Sequence, residues 1–300
     1  MIKVAIYAHT PIAGAPFFQF KCLQKYASDK IQVRHIQRVH KYRDGRVFPK
    51  DLLLEEPASL MWLREADVIH LHNYLPREIT RRLNRQRQKI VATLHSVPRQ
   101  GNWNELMRFA HKTYCIRQPL QMKEYTNLPT LPNLFDIWSY TKPALKTYTG
   151  TLNIVYCPTN KHPNTSPGTK GFSSVMPILD ELKKEYGDVI KIIHHTNMEY
   201  YENLRQKALG HITIDDIIGE TFHLTSIEAC CTGQAVLTGT PTAWKYPFLY
   251  TTPQALKERL EYLIRNRDFL ENTANLSRTW VEKNWNPKVM VNEYLEAYTK

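Results

Sequence analysis

Short runs of β-forming residues alternate with helical or loop sequence along the first 116 residues of the chain. The first run, Lys3–Ala8, is followed by a turn of small residues and then by an amphipathic stretch from about Phe17 to Tyr26. Further runs occupy Ile31–Ile36, Asp67–His72, Lys89–His95 and Thr113–Ile116. Strands that alternate with helices in this way predict a doubly wound parallel sheet.

The same alternation starts again after a change of composition between Leu131 and Thr151, a stretch typical of an interdomain connection. Strands are predicted at Asn153–Cys157, Val189–His195, His211–Asp215 and Ala235–Leu237. Helices are predicted at Gly171–Tyr186, Tyr200–Ala208 and Leu224–Thr232, from Gln254 onward, and in a tail from Trp280 to Tyr298. A chain of 300 residues suits two such domains. Their ligand is expected at the carboxyl ends of both sheets, in a cleft between them.

The net charge of +12 is carried by one half of the chain. Residues 1–150 contain 24 Lys and Arg against 11 Asp and Glu, whereas residues 151–300 contain 16 against 17. The densest basic segment holds Arg77, Arg81, Arg82, Arg85, Arg87 and Lys89. A one-sided basic surface attracts polyanions, although a solvated basic helix with no special purpose would have the same composition.

Several classes of protein are disfavoured by the sequence. With 42% hydrophobic residues and a mean hydropathy of -0.46, the chain has no apolar run near the roughly 18 residues of a membrane span. The N-terminus enters a strand directly, without the pattern of a secretory signal, so we expect a soluble, cytoplasmic protein. The five cysteines have no C-x-x-C pair and are expected to be reduced; Cys230 and Cys231 suit small buried side chains.

The most informative segment is Gly219–Leu237, where Glu220 precedes a predicted helix and Glu228 lies eight positions later inside it. Alone, this spacing also fits a surface residue and an ordinary helix acid. The segment resembles the E-x7-E motif of the retaining GT-B glycosyltransferases that use nucleotide-diphosphate sugars, a family 4-like group. That resemblance implies that Glu220 orients the sugar and Glu228 accepts hydrogen bonds from the ribose diol. The start of the helix would face the diphosphate, through Thr221, Phe222, His223, Leu224 and Thr225.

Two lysines match the family's diphosphate-binding cations. Lys170 precedes Gly171 at the start of a predicted helix and takes the family's Lys-Gly position. Lys161 follows the first strand of the second half and corresponds to a position that is usually Arg, although Lys lacks the bidentate geometry of Arg and could be a solvated surface residue.

The first half of the chain matches the same family at further positions. The strand Ala92–His95 is similar to the one whose terminal histidine sits beside the donor sugar, which implies a catalytic role for His95. Gly14 is the position where backbone could approach phosphate, although the family often has paired glycines there. His70 and His72 share a strand face but are better explained as structural residues, because no third metal ligand is evident nearby.

The resemblance covers nearly the whole chain and implies a GT-B fold, with two Rossmann-like domains whose parallel sheets face a central cleft. The expected bounds are 1–148 for an acceptor domain, 149–282 for a donor domain, and 283–300 for a helix that returns to the first domain. No cofactor or metal is expected, because the lysines supply the charge that stabilises the leaving diphosphate of a UDP- or GDP-sugar. Asp215 and Asp216 are interpreted as strand-end carboxylates, since the chain lacks a D-x-D triplet.

The acceptor remains open between two polyanions. The arginines Arg77 to Arg87 could rest on an anionic membrane at its inner face while the enzyme extends a cell-surface or lipid-linked glycan, which is the preferred interpretation because that activity is commoner among relatives. Alternatively, they could bind duplex DNA whose hydroxymethylated base is flipped out for glycosylation, as in some phage enzymes. A catalytically inactive protein that binds nucleotides or sugars is a third hypothesis.

Overall fold

The computed structural model describes residues 1–41, 47–75, 77–101, 103–139, 146–158, 170–195 and 198–300. Its contacts divide the chain into two compact units. Unit 1 comprises Met1–Asp136 and Asn286–Lys300, and unit 2 comprises Ile137–Trp285. The bounds of 1–148, 149–282 and 283–300 expected from the sequence remain predictions about domain organisation.

Unit 1 is built on a seven-stranded sheet in which every adjacent pair is parallel, in the order β3-β2-β1-β4-β5-β6-β7. Its strands are β1 (Ile2–Ala8), β2 (Ile31–Gln37), β3 (Leu52–Leu53), β4 (Val68–His72), β5 (Lys89–Leu94), β6 (Lys112–Ile116) and β7 (Thr130–Leu131). Its helices are α1 (Ala15–Tyr26), α2 (Pro57–Glu65), α3 (Arg77–Thr80), α4 (Asn104–Phe109), α5 (Pro119–Glu124) and α11 (Pro287–Thr299).

Both faces of the first sheet are buried. Alternate residues of its central strands, such as Tyr7 and Leu71, point into an apolar core. The opposite face carries His70, which is bonded to Gln19 of α1 and Tyr298 of α11. This face of the sheet is therefore covered by α1 and α11.

Unit 2 contains a five-stranded sheet, also parallel at every pair, in the order β12-β11-β10-β8-β9. Its strands are β8 (Leu152–Tyr156), β9 (Ile190–His194), β10 (Ile212–Ile214), β11 (Ala235–Thr238) and β12 (Leu249–Tyr250). Its helices are α6 (Phe172–Tyr186), α7 (Tyr200–Ala208), α8 (Leu224–Cys231), α9 (Leu256–Arg265) and α10 (Arg267–Asn284). Strand β10 is buried along its whole length because helices cover both faces of a parallel sheet.

The predicted strands are confirmed to within a residue at most ends, and helix α7 has the predicted bounds. The predicted helical tail from Trp280 to Tyr298 is divided between two helices. Helix α10 ends at Asn284 and α11 begins at Pro287, with the Asn286 side chain accepting a hydrogen bond from the backbone of Lys288. The break occurs because proline cannot continue a helix but suits its first position.

All five cysteines are buried, and none forms a disulfide, as expected from their spacing. No helix in the described part of the chain combines the length and the apolar character needed to cross a membrane.

Candidate functional site

The carboxyl edge of the second sheet holds a buried carboxylate, Asp215, directly after β10. Its Oδ2 accepts hydrogen bonds from the backbone N–H of His223 at 2.8 Å and from the hydroxyl of Ser226 at 2.7 Å. Its Oδ1 lies 2.6 Å from Nζ of Lys170. Burial alone would raise the pKa of Asp215, but the Lys170 ammonium, together with His223 and the hydrogen bond from Ser226, outweighs burial and holds that pKa below its ordinary value. Asp215 is thus an ionised group that ties Lys170 to the start of α8.

Lys170 is positioned by an unusual backbone segment. Its φ is +52° and that of Gly171 is +89°, so the chain turns sharply into α6. A Cβ added at Gly171 would lie 3.0 Å from Ile217, which explains why glycine follows the lysine. Only 5% of Lys170 is exposed, and its Nζ is 3.0 Å from Oγ1 of Thr225. The predicted Lys-Gly pair therefore directs an ammonium group at the first turn of α8.

A second buried ion pair lies beside the first. Nζ of Lys207, on α7, is 2.7 Å from Oε2 of Glu228 on α8, and their side chains are 12% and 5% exposed. Burial would lower the pKa of Lys207, but Glu228 raises it overall, so the lysine is protonated. Lys207 Nζ also lies 3.4 Å from Thr225 Oγ1. The hydroxyl of Thr225 thus joins both ion pairs.

The other residues predicted at the start of α8 have different environments. Glu220 is exposed, Thr221 is buried, and His223 and Leu224 are half-buried. The Phe222 ring is fully buried, with centroids 4.7 Å from Tyr246 and 5.1 Å from Phe248. Phe222 could therefore contact a ligand only through its backbone.

Asp216 stabilises the turn that leads to Glu220. Its Oδ1 accepts hydrogen bonds from the backbone N–H groups of Ile218 and Gly219, at 3.1 and 2.8 Å, and its Oδ2 lies 3.2 Å from Nε2 of His223. The interpretation of Asp215 and Asp216 as strand-end carboxylates is confirmed. Within the described ranges, no group of three His, Cys, Asp or Glu side chains is arranged to hold a metal ion.

In unit 1, His95 follows β5 and is held by its neighbours. Its backbone N–H donates to Asn73 Oδ1 at 2.7 Å, and its carbonyl accepts from the Gln121 amide at 3.0 Å. Its Nε2 lies 2.8 Å from Nδ1 of His72. Burial lowers the pKa of His95 to about 4, so the ring is neutral at physiological pH. A neutral imidazole can donate or accept a hydrogen bond but supplies no charge.

The rings of His70, His72 and His95 form a row, in which His72 lies between the other two. The rings of His70 and His72 stack with centroids 4.5 Å apart, and His70 is also bonded to Thr93 at 2.7 Å. Burial lowers the pKa of His70 to about 3. The structural interpretation of His70 is confirmed, whereas Nε2 of His72 is buried and finds no hydrogen-bond partner among the residues that the structure describes.

Gly14 caps the N-terminus of α1 with a φ of +84°, after two further residues of positive φ, Ile12 and Ala13. A Cβ at Gly14 would lie 2.6 Å from the ring of Phe18. The backbone here is strained, and the strain is concentrated at a position predicted to approach phosphate.

The predicted polyanion-binding arginines begin in a short helix and continue into the turn that follows, and α3 includes only Arg77 of the set. Arg77, Arg81, Arg82, Arg85 and Arg87 are all exposed. Arg85 stacks 5.0 Å from the Phe109 ring, and Arg87 donates to the carbonyls of Arg64 and Ala66 at the end of α2. Arg82 lines a surface cavity of about 450 Å³ together with Arg38, Leu54, Glu55, Leu60 and Glu78.

The structure thus brings together Lys170, Thr225 and Glu228 within unit 2. Lys161 lies outside the described residues. Sequence reasoning missed Lys207 altogether and did not see that Asp215 pairs with Lys170. Lys207 is 21 positions from Glu228, and no local spacing marks it.

No protein-family model matches the chain, and no curated protein sequence matches it. Among solved structures, an alpha-glucosyltransferase in complex with UDP and a 13-mer DNA containing a central A:G mismatch is similar over 100% of both chains, with a TM-score of 0.69 and 10% identity. A glycosyltransferase from Rickettsia africae ESF-5 covers 99% of this chain and 97% of its own, with a TM-score of 0.64 and 12% identity. A sucrose-phosphate synthase from Thermosynechococcus elongatus covers 99% of this chain and 98% of its own, with a TM-score of 0.63 and 13% identity. These similarities establish the predicted GT-B fold of two parallel-sheet α/β domains.

Proposed function

We propose that this chain is a retaining glycosyltransferase of the E-x7-E class that uses a nucleotide-diphosphate sugar. The observation that carries the proposal is the convergence of two buried ion pairs, Lys170–Asp215 and Lys207–Glu228, on the Thr225 hydroxyl at the carboxyl edge of the second sheet. Buried charges at the ligand-binding edge of an α/β sheet are typical of a functional site. UDP is the favoured nucleotide, because the alpha-glucosyltransferase similar to this chain was solved with UDP.

The proposed roles follow the sequence assignments. Lys170 and Lys161 bind the diphosphate, Glu228 accepts from the ribose diol, and Glu220 orients the sugar. The backbone at Thr221 to Thr225 and at Gly14 offers N–H groups to phosphate. His95 acts as a neutral hydrogen-bonding group for the sugar.

The proposed chemistry is a front-side displacement. The bond between the anomeric carbon and the diphosphate oxygen breaks, and its electron pair goes to the diphosphate. The acceptor oxygen bonds to the same face of the carbon, and the acceptor proton passes to the departing oxygen. The lysines stabilise the charge that develops on the leaving group, so that catalysis is mainly electrostatic and positional.

The acceptor we propose is duplex DNA that carries a hydroxymethylated base. The support is the full-length similarity to an alpha-glucosyltransferase solved with DNA, together with the exposed arginines Arg77, Arg81 and Arg82 in unit 1. This reverses the preference based on sequence alone, which was for a surface glycan. The cytoplasmic location expected from the sequence forms part of the proposal.

The test is a transfer assay with UDP-, GDP- and ADP-sugars. Each donor is incubated with hydroxymethylated duplex DNA, plain duplex DNA or a lipid-linked glycan, and nucleotide release is measured with the mass of the acceptor. We expect UDP release that depends on hydroxymethylated DNA. The variant Glu228→Gln should lose most of this activity, whereas Glu258→Gln, on the exposed surface of α9, should retain it.

Other outcomes would contradict parts of the proposal. Sugar found on the glycan and not on DNA would replace the proposed acceptor. Tight nucleotide binding without release from any donor would favour the inactive binding protein.

A further inference from the structure

The Thr225 hydroxyl has an unusual hydrogen-bond environment. Thr225 is the second residue of α8 and is 8% exposed. Its Oγ1 lies 3.0 Å from Nζ of Lys170 and 3.4 Å from Nζ of Lys207. An ammonium group can only donate hydrogen bonds, and a hydroxyl oxygen has two lone pairs to accept them. Both lone pairs are therefore used, and the hydroxyl proton is left to donate to a third group.

One oxygen of the Glu228 carboxylate is occupied by Lys207, and the other is left to accept from a ligand. Its Oε2 accepts from Lys207 at 2.7 Å, and within the described part of the chain no hydrogen bond is made to Oε1. The ion pair is buried on both sides, with 12% and 5% exposure, so solvent screens it weakly. Glu228 therefore offers one further oxygen, Oε1, as a hydrogen-bond acceptor for a ligand.

The backbone of Lys207, near the end of α7, is anchored by hydrogen bonds. Its carbonyl accepts from the Gln234 amide at 2.8 Å, and the same amide group contacts Thr232 while the Gln234 oxygen accepts from Thr213. These contacts anchor the end of α7 to β10 and to the residues that precede β11. The backbone of Lys207 is therefore fixed by the fold, and its ammonium is directed to Glu228 and Thr225 by the contacts given above.

We infer that Lys207 is a positioning residue of the donor site, which makes Thr225 a hydrogen-bond donor and Glu228 a single-oxygen acceptor. The inference rests on the proposed function and specifies its ligand class. A site with this polarity accepts an anionic oxygen at Thr225 and a hydroxyl donor at Glu228. A ribonucleoside diphosphate has both groups, whereas its deoxyribose counterpart lacks one hydroxyl. Lys207 would thus support selection of ribonucleotides without touching the ribose itself.

The test is calorimetric binding of UDP, 2′-deoxy-UDP and 3′-deoxy-UDP to the full chain. The wild type should bind UDP at least about tenfold more tightly than one deoxy form, the size expected for a hydrogen bond to a charged group. Lys207→Met should reduce that ratio toward one, and Lys207→Arg should restore most of it. Lys184→Met, on the exposed surface of α6, is the matched control and should leave the ratio unchanged.

A double-mutant cycle separates positioning from general support of the fold. If Lys207 acts through Glu228, the variant K207M/E228Q should discriminate no worse than E228Q alone. If Lys207 only supported the fold, its loss would weaken the binding of all three nucleotides equally and leave the ratio of their affinities unchanged. That result would overturn the inference while the proposed function stands. A wild type that binds none of the nucleotides would overturn both.

Should K207M fail to fold, as judged by its circular dichroism melt, the hydroxyl can be tested directly. Thr225→Val removes the proton donor at nearly constant volume, and Thr225→Ser retains it. Affinity for UDP should fall in the first variant and recover in the second. Equal affinities would contradict the assigned polarity.

Discussion

The two units treat polar groups at the carboxyl edges of their sheets in opposite ways. In unit 1, His70, His72 and His95 form a row of rings that burial keeps neutral. In unit 2, Lys170 and Lys207 are charged and paired with carboxylates. Neutral imidazoles suit uncharged hydroxyls, whereas fixed ammonium groups suit an anion. Of these two sets of residues, only that of unit 2 therefore presents fixed positive charge to a ligand.

The largest effect should come from breaking an ion pair in unit 2. Lys170→Met leaves the Asp215 carboxylate buried without its cation, and should lower the free energy of unfolding by about 3–5 kcal/mol. Urea unfolding measures this cost. Lys191→Met, on an exposed position of β9, should cost less than about 0.5 kcal/mol. If both variants lost a similar free energy of unfolding, the buried ion pair would be no more important to stability than an exposed lysine.

Acid should weaken unit 1 through its histidines. Burial lowers the pKa of His35 from 6.5 to about 4, so the unfolded chain takes up the proton first as pH falls. The stabilisation is complete above pH 6.5 and is lost as the pH falls toward 4, by about 3 kcal/mol for one such histidine. Hydrogen exchange at pH 7 and pH 5 should show unit 1 opening first. His35→Leu should flatten the pH dependence of stability, and an unchanged slope would exclude His35 as a contributor.

The strained turn before α1 provides a smaller test. Gly14→Ala introduces a Cβ at a φ of +84° and 2.6 Å from Phe18, and should cost about 1–3 kcal/mol. The matched change Gly150→Ala has no atom within 4 Å and should be close to neutral. Thermal melts of the two variants make the comparison. A neutral Gly14→Ala would show that the turn relaxes easily.

The smallest effects are expected for the exposed arginines, of which Arg87 should affect stability and Arg81 should affect DNA binding. Arg87→Ala removes hydrogen bonds to the end of α2 and should lower stability by about 1 kcal/mol. Arg81→Ala should leave stability unchanged but reduce the salt dependence of duplex DNA binding by about one unit of slope. Binding measured between low and high salt tests this. No change in slope would remove Arg81 from the DNA contact.

Long, continuous apolar strands were predictable because parallel sheets bury both faces. β4 and β10 were found within a residue of their bounds. The edge strands β3, β7 and β12 were missed, because two residues carry no periodicity. The break at Pro287 had a clear local signal, since proline marks a helix start.

In the candidate site, too, some residues were predictable from the sequence and others were not. Lys170 and Glu228 could be found through local motifs, but their partners could not. Asp215 lies 45 positions from Lys170, and Lys207 lies on a helix of ordinary composition. Pairing across such distances is set by the fold and not by spacing along the chain.

The central claim is that a nucleotide diphosphate binds against the ion pairs at the start of α8. Hydrogen–deuterium exchange with and without UDP tests it most directly. The account predicts that UDP slows exchange between Asp215 and Cys231 and around Lys207. UDP that binds while protecting only other parts of the chain would contradict it.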